Sequence, residues 1–346
     1  MTSPKINQDR PLREGGLGKE QDSMKAIVQD EYGSPDVLEL RDIDKPEIND
    51  DEVLVRVHAA GVGRDVWHVM TGLPYPIRLA GYGFRAPKNP VIGSDVSGVV
   101  ETVGKDVSRF KPGDEVFRIG KGSYAEYVCA LEDKLAPKPE NLTFEQAGVV
   151  AIMGSTALQA LRDHGKVRPG QEVLIVGASG GVGTYAVQIA KASGAQVTGV
   201  CSSAKVEMVR SIGAVRVIDY TREDFAEGDR RYDLILDIGG NSSLSRLRHA
   251  LTSEGTLVIV GGEGGGRWLG GTDRQVRAML LSPFVGQKLG TFVNKENHED
   301  LLVLKELIES GKVTPLIDRT YPLSEVPEAI RYLQEGHARG KVVITV

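Results

Sequence analysis

The 346-residue sequence predicts an α/β protein in two units, a mostly β domain followed by a doubly wound parallel sheet. Three observations carry that expectation. Short runs of β-branched residues, punctuated by Gly, Pro and Asp, fill the first part of the chain in the manner of antiparallel strands. From residue 151 onward, apolar strands alternate with helical stretches of about 10 residues, as parallel βαβ units do. The glycine-rich turn "GASGGVG", Gly177 to Gly183, joins the first of those strands to the first helix.

Taken in order, residues 1–23 mix Pro, Gly and charge without apolar periodicity and read as a disordered leader. Residues 24–150 form the β domain, with strands in "MKAIVQD", "VLELRDI", "DEVLVRVHAAG", "SDVSGVVETVG", "GDEVF" and "SYAEYVC". A helical link, "FEQAGVVAIMGSTALQALRDHG", crosses into residues 151–295, the parallel-sheet domain with strands "EVLIVG", "QVTGVC", "VRVIDY", "DLILDIG" and "TLVIVGG". Its helices "TYAVQIAKASG" and "AKVEMVRSIG" stop on Gly194 and Gly213, residues suited to a helix end. Residues 296–346 supply an amphipathic helix, "NHEDLLVLKELIESG", a second helix and the strand "GKVVITV", and are expected to return to the first domain.

Composition narrows the function. Hydrophobic residues make up 40% and charged residues 26%, an ordinary globular balance. A net charge of −5 gives no electrostatic reason to expect nucleic acid or an anionic membrane as partner. No apolar run is long enough to span a bilayer, and the N-terminus lacks the apolar core of a secretory signal, so a cytoplasmic protein is expected. Cys129 and Cys201 are too few for a disulfide framework or a four-cysteine zinc site.

The glycine turn sits where a dinucleotide fingerprint requires it, between strand and helix, although Ala178 takes the place of the first glycine. Gly180, Gly181, Val182 and Gly183 would let backbone and helix N-terminus approach a pyrophosphate. NAD-binding proteins usually place a carboxylate after the second strand, for the ribose 2′-hydroxyl. Here that strand ends in Cys201, Ser202 and Ser203, so nothing repels a 2′-phosphate, and Ser202, Ser203 and Lys205 can hold one. NADPH is therefore the expected cofactor. Tyr220, at the end of the next strand, can border the adenosine end or simply pack there. Gly239 with Gly240, and Gly261 with Gly262, follow predicted strands and can admit the ribose and nicotinamide. The surrounding "GGEGGGRWLGG" reads equally well as a surface loop.

A β-rich first domain, then "GASGGVG" and "CSSAK…VIDYTREDF", then a closing "GKVVI", together resemble the medium-chain dehydrogenase/reductase superfamily, specifically its zinc-independent, ζ-crystallin-like quinone oxidoreductases. The resemblance covers nearly all of the chain after Met24. It implies a GroES-like catalytic domain, a Rossmann NADPH-binding domain and a homodimer. In the superfamily's zinc-dependent alcohol dehydrogenases, a cysteine follows "GV" and a histidine sits in a G-H-E segment. Gly63 in "AAGVGRDVW" and Ser94 in "IGSDVSG" stand at those positions, with Asp95 for the glutamate, and the four-cysteine lobe is absent. No zinc is expected, and His58 and His68 have no partners at ligand spacing.

By position, Thr156 in "GSTALQAL" matches a residue beside the family's nicotinamide, or serves the helix structurally. Arg64, Trp67 and Tyr75, in the segment matching the family's substrate pocket, are acceptor-site candidates for which packing roles are equally open. The loop "IRLAGYGFRAPKNP" can act as a lid or merely join strands. No catalytic triad is visible. Without a metal, hydride transfer needs positioned donors or an electrophilic acceptor, which points to quinones and α,β-unsaturated carbonyls. The alternatives are a zinc-free NADP-linked alcohol or aldehyde oxidoreductase, and a nucleotide-binding redox sensor with little turnover.

Overall fold

The computed structural model describes residues 23–261, 266–336 and 338–346. Gly262 and all but the last residue of the expected leader lie outside the described residues. Ser23 itself opens a strand. That strand, β1 (Ser23–Val28), pairs antiparallel with β2 (Glu39–Asp44), apart from the main sheets. Then come β3 (Glu52–Val62), α1 (Arg64–Thr71), β4 (Asp95–Val103), β5 (Glu115–Ile119), β6 (Tyr127–Leu131) and β7 (Leu135–Pro137). Alternate residues of a strand face opposite sides. Val53, Val55 and Val57 of β3 therefore share one face and join Val96, Val100 and Val128 in a single apolar cluster.

Helix α2 (Phe144–Ala147), capped reciprocally by Thr143 and Gln146, and α3 (Ala151–Gln159) lead to the second unit. It runs β8 (Glu172–Val176), α4 (Gly181–Ala192), β9 (Gln196–Cys201), α5 (Val206–Ser211) and β10 (Arg216–Asp219). It continues through β11 (Tyr232–Asp237), α6 (Leu244–Ala250), β12 (Leu251–Ile259), α7 (Gly266–Leu269), α8 (Thr272–Leu281) and β13 (Lys288–Thr291). The six strands are parallel in the order β10-β9-β8-β11-β12-β13. Strand order reverses between β8 and β11, which opens a crevice at their carboxyl ends, the place where such sheets bind ligands. Gly177 and Gly239 face each other there, and a Cβ on Gly177 would lie 2.9 Å from the Gly239 nitrogen.

The C-terminal segment from residue 298 ties the units together. Helix α9 (His298–Glu309) buries Leu301, Leu304 and Ile308 in the cluster that contains α3, and Gly154 leaves room for Leu304. Strand β14 (Ile317–Pro322), helix α10 (Val326–Gln334) and strand β15 (Lys341–Thr345) follow. β15 pairs with β3, so the seven-stranded sheet reads β14-β15-β3-β4-β5-β7 with β6 also on β3. Among the described residues no helix is long and apolar enough to cross a membrane.

Candidate functional site

The glycine turn is built by close backbone approach. Gly177 leaves β8 at φ +87, a left-handed conformation that favours glycine, and the N–H groups of Gly177 and Ala178 donate to Val200 O on β9 at 3.2 and 3.0 Å. Gly183 lies over the turn, where a Cβ would stand 2.1 Å from Gly177 O. Ala178, the departure from the fingerprint, is fully buried, and Gly199 on β9 gives its methyl space. Gly180 caps α4, leaving the first N–H groups of this 12-residue helix pointing into the crevice without helical partners. Oriented amides and helix dipole suit a pyrophosphate, so the residues present fit a nicotinamide dinucleotide. Val182 is half-buried against the core, and Gly239 and Gly261 stand across the crevice at the exits of β11 and β12.

Beyond β9 the candidates divide. Ser203, though exposed, has its hydroxyl engaged: it bonds the Asp219 carboxylate and meets Thr221 Oγ1 at 3.0 Å. These hydroxyl bonds hold the Asp219 carboxyl below its usual range. Ser202 and Lys205 instead line a cavity of about 890 Å3 that Arg319, Arg331 and Arg339 border together with the carboxylates Asp318, Glu328 and Glu335. Lys205 Nζ donates to Gly336 O at 3.1 Å, which leaves ammonium hydrogens for a further acceptor. Burial is the largest influence and lowers its pKa, Asp318 and Cys201 oppose it, and Arg339 adds to it last. Tyr220 is 63% exposed at the adjoining strand end. Arg339, far along the chain from Lys205, gave no signal in the sequence.

Thr156 is internally committed. Its hydroxyl donates to Ile152 O and accepts from Asn294 Nδ2, both at 2.7 Å. Asn294 also reaches Ser155 Oγ at 2.8 Å, while Gln159 bonds Asp300 at 2.7 Å, so the stretch before α9 is held against α3.

The positions of metal ligands hold something else. A side chain on Gly63 would run into Asp65 and Met153, and Ser94 Oγ donates to Asp65 Oδ2 at 2.5 Å. Asp95, buried to 3% exposure, accepts the Ile152 N–H at 2.7 Å, and burial pushes its carboxyl up to about 7 despite the opposing field of Lys341. Lys341, also buried, donates to Val62 O at 3.3 Å. His58 stacks on Phe144 at 4.3 Å, and His68 Nδ1 pairs with Leu73 O at 2.7 Å. Among the described residues no group of three or more His, Cys, Asp or Glu could hold a metal ion. The donor set does not fit zinc.

On the acceptor side, Tyr75 is tied to the second unit: its N–H donates to Arg267 O at 2.9 Å, and its ring meets Trp268 edge-on at 5.2 Å. Trp67 packs against the cluster of Val66, Met70 and α10, with the Arg64 guanidinium 5.5 Å from its ring. The stretch "IRLAGYGFRAPKNP" is anchored, because Tyr82 O accepts from Tyr32 Oη and the Lys88 N–H, each at 2.9 Å. Burial, then Glu296 and Asp65, raise the Tyr82 phenol, which stays protonated at neutral pH and can donate a hydrogen bond. Nothing in the sequence singled out Tyr82, because its surroundings come from separate segments.

Comparisons with known proteins agree with this arrangement. Residues 49–140 match the family model described as alcohol dehydrogenase GroES-like domain, and residues 212–344 match the one described as zinc-binding dehydrogenase. The chain is 35% identical to the NAD(P)H oxidoreductase RTN4IP1, mitochondrial, of Mus musculus, over 93% of this chain and 89% of the relative. It is 34% identical to the NADPH-dependent alkenal/one oxidoreductase, chloroplastic, of Arabidopsis thaliana, over 93% and 79%. The solved quinone oxidoreductase from Coxiella burnetii superposes with a TM-score of 0.82 at 32% identity, covering 94% of this chain and 99% of that one.

Proposed function

Because the chain belongs to the medium-chain dehydrogenase/reductase superfamily, in its zinc-independent, quinone-oxidoreductase-like branch, we propose that it reduces quinones or α,β-unsaturated carbonyls with NADPH. The observation that carries this reading is the loss of donors at the metal-ligand positions, where Gly63 offers no side chain and Ser94 spends its hydroxyl on Asp65. A site without a Lewis acid suits an acceptor that is already electrophilic. Bound NADPH supplies the hydride. The protein's part is to cradle the pyrophosphate on the Gly180–Gly183 turn and to bracket the nicotinamide between Thr156 and the exits of β11 and β12. Tyr75, Trp67 and Arg64 remain the candidates for contacting an acceptor.

Initial rates of NADPH and NADH oxidation by metal-stripped protein, with a quinone, a small enone and an aldehyde, test the reading. Turnover of quinone or enone supports it. Activity restored only by zinc, or confined to the aldehyde, would overturn it, and tight NADPH binding without turnover of any acceptor would favour a redox sensor.

For NADPH over NADH the support is Lys205 and Arg339 converging with Ser202 where β9 carries no carboxylate. Lys205→Ala should weaken NADPH by roughly tenfold to a hundredfold, since a hydrogen bond to a charged group contributes about 1.5–3 kcal/mol. NADH should be nearly unaffected. Equal losses in titrations of the two cofactors would remove the 2′-phosphate assignment.

The resemblance also supports a homodimer. Beside the edge strand β13, Phe284 and Val293 are 84% and 87% exposed, apolar surface that a second copy would cover. Light scattering should give twice the 37.3 kDa of one chain, falling to the single mass in Phe284→Asp/Val293→Asp. Two free cysteines, Cys201 buried and Cys129 half-buried, suit the reducing cytoplasm.

A further inference from the structure

One ion pair behind the crevice stands outside everything described so far. Asp237, the last residue of β11, is fully buried, and its partner Arg274 on α8 has a side chain 13% exposed. The guanidinium does more than neutralise the carboxylate. One nitrogen bonds Asp237 Oδ2 and Ser242 O, the latter at 2.7 Å, and the other donates to Gly261 O at 3.0 Å. Asp237 Oδ1 accepts the Gly240 N–H at 3.4 Å, and its backbone carbonyl accepts the N–H groups of Val260 and Gly261 at 2.9 and 3.2 Å. The exits of β11 and β12, the two segments that face the pyrophosphate cradle, are thus joined through one side-chain pair. The fit is tight, since a Cβ on Gly261 would come within 2.2 Å of Ile238 O.

A buried ion pair is weak evidence of a stability role, because an apolar pair of similar volume often serves as well. What an apolar pair cannot do is hold acceptors on two separate turns in one plane. Arginine's rigid fork does that, and lysine's point charge does not. We propose that Arg274 is a positioning residue for the nicotinamide half of the cofactor. It fixes the spacing of the Gly239–Gly240 and Gly261 turns and leaves the adenosine half untouched. The inference rests on the dinucleotide reading above. It adds a residue that would never touch the cofactor itself.

The test separates the two halves of the ligand. Calorimetric titration of wild type and Arg274→Lys with NADPH and with adenosine 2′,5′-bisphosphate, which lacks the nicotinamide half, should show NADPH weakened at least tenfold. The bisphosphate should stay within twofold. Full retention of NADPH affinity in Arg274→Lys would mean that charge alone suffices and would overturn the proposal, as would parallel loss of both ligands, the mark of general damage to the sheet. Should Arg274→Lys not fold, the neutral pair Arg274→Gln/Asp237→Asn leaves no buried charge and is expected to show the same selective loss. Unchanged NADPH binding in that variant would equally overturn the assignment. NADH and ADP are run in parallel. Wild type that binds NADH but not NADPH would refute the cofactor preference while the NADH and ADP pair still decides Arg274, and wild type that binds no dinucleotide would refute both.

Discussion

Gly183→Val is expected to abolish dinucleotide binding, and Gly180→Ala, three residues earlier in the same turn, to leave it nearly intact. The contrast is geometric. At Gly183 the first added carbon would lie 2.1 Å from Gly177 O and 2.8 Å from both the Cα and the carbonyl carbon of Ala178, all backbone atoms that no side-chain rotation can move aside. At Gly180, φ is −82, open to any residue, and the nearest atom is 3.5 Å away. To admit valine, either the turn opens or α4 starts later, and both displace the N–H groups that would hold the pyrophosphate. Overpacking of this kind costs typically about 1–3 kcal/mol of stability, and more where backbone must move. Loss of even one charge-assisted bond removes about 1.5–3 kcal/mol of affinity. Titration with NADPH and a thermal melt of each variant check this: Gly183→Val should bind at least a hundredfold more weakly, while Gly180→Ala stays within about fivefold. Similar affinity in the two variants would mean that this turn is not the cradle.

That turn was legible because its evidence is local. Strand, glycines and helix are consecutive, and the close approach they imply occurs within a few residues. The alternation of strands and helices and the return of "GKVVI" to the first sheet were legible for the same reason, since each element carries its own periodicity. β13 was not: "KLGT" is four residues at a sheet edge, with only Leu289 buried, too short for a period to show. The limits were sharper in the site. Lys205 could be named from its place after β9, but the Arg339 that shares its cavity comes from the segment between α10 and β15, and only the fold brings them together. Ser203 has the same residue type as Ser202 and lies one position along, yet faces Asp219 rather than the cavity. For Trp67 the sequence left pocket and packing roles equally open, because aromatic residues serve both and which face of α1 turns inward is a tertiary fact. Arg274 gave no signal, because its acceptors, Asp237 at the end of β11 and the Ser242 and Gly261 carbonyls on two loops, are brought together only by the fold.

Asp95 shows how far a single substitution at a metal-site segment reaches beyond chemistry. In sequence it only stands where the zinc enzymes carry a glutamate. In the fold it caps the start of α3 from β4 through the Ile152 N–H, with Lys341 on β15, Asp65 on α1 and Glu296 before α9 acting on it. Burial is the largest influence and pushes the carboxyl up to about 7, with Asp65 and Glu296 acting in the same direction and Lys341 and the Ile152 N–H opposing. The folded state therefore holds this proton more tightly than the unfolded chain, whose carboxyl titrates near 3.9. Stability from this group is fully present below about pH 4 and is lost as pH rises through about 7. A difference of about three units corresponds to about 4 kcal/mol across that window. Asp95→Asn keeps an oxygen for the Ile152 N–H and cannot ionise, so it should lack this slope. Denaturant unfolding of both proteins between pH 4 and 8 should show the variant gaining on wild type as pH rises, by as much as about 4 kcal/mol at the alkaline end. Parallel curves would mean that Asp95 is ionised throughout, its charge held by Lys341. The interior beside Gly63 and Ser94 would then be a permanent ion pair rather than a site that takes up a proton.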